Sequence, residues 1–213
     1  MTPGRQLGWA EESEAIIRGL AHTLSNRAAA LGLAGESLED EEAEVRREAS
    51  AQVQKEVEQI AEIARLLKLL PRDGVGRPQA LQLSEVLADA VALHGHHLEL
   101  RGITLATSVS ASALPVRVDR WALLRALVLL IAGARRGAQT EGGEGGGGEA
   151  VTIFVEGTEM ESWVRTESDG GTASEELEAL AGAMDGRVDR SAQGVRLVLP
   201  SLLALRQREQ QRG

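Results

Sequence analysis

The first third of this chain carries two successive sets of apolar residues at helical packing intervals, closed by a proline. That pattern commits it to a pair of long helices. In the first set, Ile17, Leu20, Leu24, Leu31 and Leu38 recur at the spacing of a helix seam. In the second, Val45, Ala49, Val53, Val57, Ile60, Ala64 and Leu67 do the same. Helix one is predicted from about Trp9 to about Ser37. Helix two is predicted from the acidic junction Glu39-Asp40-Glu41-Glu42 to Leu70. Acidic residues at its start suit the positive end of the helix dipole. Pro71 stops the second helix, and Arg72-Asp73-Gly74-Val75-Gly76-Arg77-Pro78 reads as a linker. A hairpin of this kind buries one side of each helix. Pairing two hairpins into a dimeric four-helix bundle buries the rest, so a homodimer is expected. The competing arrangement packs the hairpin on the chain's own second domain.

With Ile17 at heptad position a, Leu20 falls at d, Leu24 at a and His22 at f, the position farthest from the seam. An imidazole there is offered to solvent or to a partner, as a nucleophilic or phospho-accepting histidine must be. Taken alone, His22 reads better as an ordinary surface histidine. Asn26 follows four residues later and shares its helical face.

Composition narrows the class. Hydrophobic residues make up 43% of the 213 residues but aromatics only 2%, so the core is aliphatic. There is no cysteine, which excludes disulfides and thiolate metal sites and suits a reducing interior. The net charge of -9 argues against a protein that coats nucleic acid. The most apolar run, Trp121 to Ala134, carries Arg125 and is too short to span a bilayer. The N-terminal residues do not resemble a signal core, and the expected compartment is the cytoplasm.

Beyond the linker the pattern changes. An amphipathic helix is predicted from Ser84, read as its cap, to about His97. A strand follows at Gly102 to Val109, then a helix capped by Asp119 and running through Arg135. A glycine-rich loop spans Gly142 to Gly148. It has no following lysine or serine, so it is not a phosphate-cradling P-loop. Alternating runs at Val151 to Glu156 and Ser162 to Thr166 flank a turn at Gly157. A short helix from Ser174 to Met184 and a closing hairpin, Gly186 to Val188 and Gly194 to Pro200, complete an α/β sandwich. Trp9, Trp121 and Trp163 are read as core anchors. His94 and His97, three apart, have the spacing of a metal pair without a third ligand. A solvated helix terminus is the preferred reading.

Together these pieces resemble the catalytic core of bacterial sensor histidine kinases. Leu20-Ala21-His22-Thr23-Leu24-Ser25-Asn26 is similar to the histidine box. Leu81 to Leu87 is similar to the opening of the ATP-binding domain, and Ala183-Met184-Asp185-Gly186-Arg187-Val188 through Pro200 to its closing helix and hairpin. The resemblance implies an α+β fold: a dimerisation and histidine phosphotransfer hairpin over residues 1–71, then a reduced kinase-type α/β sandwich over residues 79–205.

The departures from the family pattern carry more information. Where the family holds magnesium with asparagines on the helix before the glycine loop, this chain has Leu129 and Gly133. The Asp-x-Gly-x-Gly box is reduced to Ser168-Asp169-Gly170-Gly171, and Thr172 and Ala173 leave no room for a lid. The residue after the histidine, acidic in the family, is Thr23, and the frequent proline after the asparagine is Arg27. ATP binding and self-phosphorylation are therefore expected to be lost, with no cofactor bound by this chain.

What the resemblance then implies is a histidine phosphotransferase. It would exchange a phosphoryl group between His22 and the aspartate of response-regulator receiver domains, which bring their own Mg2+. Two alternatives share the same surface. One is a receiver phosphatase in which Asn26 orients water, and the other a pseudokinase scaffold with no chemistry at His22.

Overall fold

The computed structural model describes residues 8–40, 42–70, 76–100, 102–141, 150–167, 172–191 and 194–212. The predicted linker at 72–75, the glycine loop at 142–148 and the reduced glycine box at 168–171 lie outside them. Two long antiparallel helices come first, α1 (Trp9–Glu36) and α2 (Ala43–Leu69), joined through a 3-10 turn at Ser37–Glu39. Pro71 cannot continue α2, which ends just before it.

The rest of the chain is an α/β sandwich. It runs β1 (Gln79–Leu81), α3 (Leu83–His94), β2 (Thr104–Val109), β3 (Val116–Val118), α4 (Arg120–Glu141), β4 (Ala150–Gly157), β5 (Glu161–Glu167), α5 (Glu175–Ala183), β6 (Arg187–Ser191), β7 (Gly194–Pro200) and α6 (Leu202–Arg212). Five strands form one sheet in the order β2-β4-β5-β7-β6, with β2 parallel to β4 and the other pairs antiparallel. Strands β1 and β3 make a separate antiparallel ribbon.

Strand alternation decides what the sheet buries. Val151, Ile153 and Val155 of β4, Val164 of β5 and Leu197 of β7 point into the core. Against them lies α4, whose residues from Leu123 to Leu124 and Ala126 to Ala132 are buried on every side. A helix apolar all round is a central helix. Asp119 caps it, its Oδ1 accepting from the backbone N–H groups of Trp121 and Ala122 at 2.7 and 3.0 Å.

Several sequence readings need correction. Helix α3 is preceded by Gln82 and not capped by Ser84, because Leu83 is itself a buried first-turn residue. Helix α4 continues six residues beyond Arg135. The turn between β4 and β5 is made by Thr158 to Met160, with Gly157 still paired to Ser162. Trp9 and Trp121 pack on the core, but Trp163 does not. Its register puts it on the opposite face of the sheet to Val164, where its Nε1–H donates to Glu156 at 3.0 Å and Arg196 lies over its ring.

The hairpin is not free of the sandwich. Ile16 and Leu20 of α1 and Ile63 and Leu66 of α2 belong to the same buried cluster as α3 and α4. The buried face of α1 is therefore Glu12, Ala15, Ile16, Gly19 and Leu20, offset from the predicted seam. Ile17 and Val57, both placed in the seam, are 46% and 51% exposed in the single chain. The reason is that the hairpin base has two neighbours, its own partner helix and the α/β unit.

Candidate functional site

His22 stands exposed on α1, beside Leu20, Thr23 and Leu24, through which that helix still touches the sandwich. Asn26, one further turn along, brings its Nδ2 to 3.3 Å from His22 Nε2. The imidazole therefore stands within hydrogen-bonding reach of a side-chain amide, on a helix without proline or glycine between the two residues.

The helix around this pair is firmly seated. The Thr23 hydroxyl donates to Gly19 O at 2.9 Å and lies 3.3 Å from His96 Nδ1. It is committed to holding α1 against the turn after α3, and offers no base to His22. At Gly19 the approach is closer still: a Cβ there would lie 1.6 Å from the His96 carbonyl oxygen, so no larger residue fits. Inside the hairpin, Glu56 is almost fully buried. Its carboxylate accepts from Gln52 Nε2 at 2.5 Å and sits 3.5 Å from Arg27 Nη1. Arg27, where the family often has proline, thus ties α1 to α2.

A second polar cluster lies at the hairpin base. Glu12 is completely buried; its Oε2 is 3.1 Å from His97 Nε2 and its Oε1 is 2.5 Å from Arg136 Nη2. Burial pushes the Glu12 carboxyl pKa upward, but the His97 hydrogen bond and the Arg136 charge outweigh it. The group stays below the ordinary carboxylate value. His94 stacks on His97 with ring centroids 5.9 Å apart and bonds Val128 O through Nε2 at 2.8 Å. Its burial drives its pKa down to about 3. The sequence reading of His94 and His97 as a solvated terminus is therefore wrong, since both rings are buried. Among the described residues no group of three or more metal-ligating side chains is assembled. The sequence reading gives Glu12 no role. Its position one turn before Ile16, on the apolar stripe, is the signal that marks it.

On α4, the two positions that the resemblance assigns to magnesium-holding asparagines are closed. Leu129 is 2% exposed and belongs to the core. Gly133 lies under the backbone of Thr172, whose carbonyl oxygen would be 2.2 Å from any added Cβ. The segment entering α5 thus occupies the space an asparagine side chain would need.

No family model matches the sequence, and no curated protein does. Among solved structures, the chain is similar to the histidine kinase AdeS of Acinetobacter baumannii at 15% identity and a TM-score of 0.43. That alignment covers 85% of this chain and 93% of that one. It is similar to the catalytic domain of the histidine kinase ThkA at 15% identity and a TM-score of 0.44, covering 59% and 97%. The cytoplasmic segment of the histidine kinase QseC aligns at 14% identity and a TM-score of 0.43, covering 70% and 93%. The chemistry of the site rests on its own geometry. Among the described residues, no helix is long and apolar enough to cross a membrane.

Proposed function

We propose that this chain is an ATP-independent histidine phosphotransferase that exchanges a phosphoryl group with response-regulator receiver domains through His22. The observation that carries the reading is a contrast. The imidazole is exposed beside Asn26, while backbone fills the space next to Gly133, where the resemblance would put a magnesium-holding asparagine. In the exchange, the Nε2 lone pair attacks the phosphorus of the receiver's aspartyl phosphate. The P–O bond to the aspartate breaks and its carboxylate leaves. The Nδ1 proton of the phosphorylated ring is then released to water. This chain supplies a nucleophile on a rigid surface, and the receiver supplies Mg2+ and charge neutralisation.

The same reading includes a homodimer. Ile17 on α1, Leu38 in the 3-10 turn, and Val57 and Leu67 on α2 are all at least 40% exposed. A second hairpin laid against them completes a four-helix bundle.

The test is to incubate the purified protein with receiver domains from its own genome, each charged with labelled phosphate. Acid-labile label on the wild type, absent from His22→Ala, is the expected result. Label lost as free phosphate in a way that needs Asn26 and not phosphohistidine moves the assignment to a receiver phosphatase. Receivers that decay at their own rate while still binding the protein make it a scaffold.

A further inference from the structure

A cavity of about 300 Å3 opens between the start of α4, the end of α5 and the β1–β3 ribbon, a volume typical of small-metabolite sites. It is separate from the closed position at Gly133, which lies eight residues further along α4, or about 12 Å. Its walls are mostly apolar, built from Val118, Trp121, Leu180 and Met184. Into this lining comes Arg125. The guanidinium makes no ion pair with any described residue, and its Nε is buried without a hydrogen-bond partner. Its one described contact is the face of the Trp9 ring, 5.5 Å from the ring centroid.

A half-buried, always-charged group without a counter-charge is costly to a fold unless something supplies one. The other charged residues around the cavity do not. Arg117 is itself a cation and lies 3.5 Å from Glu209. Asp119 directs Oδ1 to the cap of α4, while its Oδ2 is buried beside Gly76 without a hydrogen-bond partner and makes no ion pair with Arg125. Asp185 is exposed to water in a left-handed turn conformation and makes no ion pair with any described residue. We propose that the cavity is a binding site for a small carboxylate with an apolar body, the carboxylate meeting Arg125 and the body lying against Trp121, Leu180 and Met184. Such a ligand sits one side chain away from Trp9, the first residue of the helix that carries His22. The site does not depend on chemistry at His22.

The probe is 4-methylpentanoate, with 4-methylpentanamide as its uncharged counterpart. Binding is read by calorimetry and by emission of the tryptophans at and beside the cavity, using the full-length protein. Saturable binding of the acid is expected, with the amide at least tenfold weaker. Arg125→Gln should weaken the acid at least tenfold, and His22→Ala should leave it unchanged. Ala122→Leu, which narrows the cavity and keeps Arg125, should weaken acid and amide together. It carries the test if Arg125→Gln does not fold. Failure of the acid to saturate, or equal affinity for acid and amide, overturns the proposal.

Discussion

The two ends of the hairpin are built from similar sequence and meet opposite fates. At its base, α1 and α2 lose their identity as a separate domain: Ile16, Leu20, Ile63 and Leu66 share a core with α3 and α4, and Glu12 is clasped by His97 and Arg136. Toward the tip, no described α/β element covers the helices, and Leu33, Leu38 and Val57 are 66%, 40% and 51% exposed. His22 lies where the first regime gives way to the second. The comparison teaches that polar clamps fix the helix below the histidine while apolar surface stays uncovered above it. A base locked in this way fits the proposed transfer from a fixed His22, which asks for no motion of the α/β unit.

The strongest way to break the comparison is to remove the clamp. Glu12→Ala leaves the fully buried His97 and the partly buried Arg136 facing an uncompensated cavity. The fold should lose about 3 kcal/mol, the lower end of the cost of breaking a buried pair, because Arg136 is partly solvated. Urea unfolding of the purified variant measures this. A loss below about 0.5 kcal/mol, the range of ordinary surface substitutions, would falsify the idea that the cluster fastens the base.

Acid sharpens the same contrast by a smaller step for each pH unit. His94 has its pKa lowered to about 3 in the folded protein, so between its unfolded value near 6.5 and about 3 only the unfolded chain takes up the proton. Stability therefore falls as pH falls through that window, by about 1.4 kcal/mol per pH unit for one group. Glu12 adds to the loss at the acid end, since its lowered pKa makes its stabilising contribution disappear as the carboxylate is protonated. His94→Gln, which keeps a donor for Val128 O, should flatten the slope between pH 6 and 4.5. An unchanged slope in that variant would assign the acid sensitivity elsewhere.

The elements of the fold were legible because their signals are local. Pro71 ends α2, Asp119 begins α4, and the alternation of β4 and β5 gives their buried face directly. The pairing of His22 with Asn26 was legible for the same reason, as both lie one turn apart on one helix. What the sequence hid is long-range. Glu12 finds His97 across 85 residues, and nothing near His94 or His97 in sequence announces that a helix from the other domain will cover them. The heptad reading also placed Ile17 in the seam, because spacing shows that a stripe is apolar without showing which neighbour covers it.

That ambiguity is the subject of the smallest effect on the fold itself. Ile17→Asp combined with Val57→Asp puts charge on two apolar positions already exposed in the single chain. Monomer stability should therefore change by no more than about 0.5 kcal/mol. If a second hairpin covers these positions, the same pair of carboxylates is desolvated in the bundle without counter-charges, and self-association should be abolished. Sedimentation velocity of wild type and double variant over a range of concentrations separates the two quantities. A wild-type dimer that the double variant breaks, with unfolding of the dissociated chain unaltered, places the partner copy on this face. A wild type that remains monomeric would remove the homodimer from the proposed reading and leave the stripe uncovered by a second hairpin.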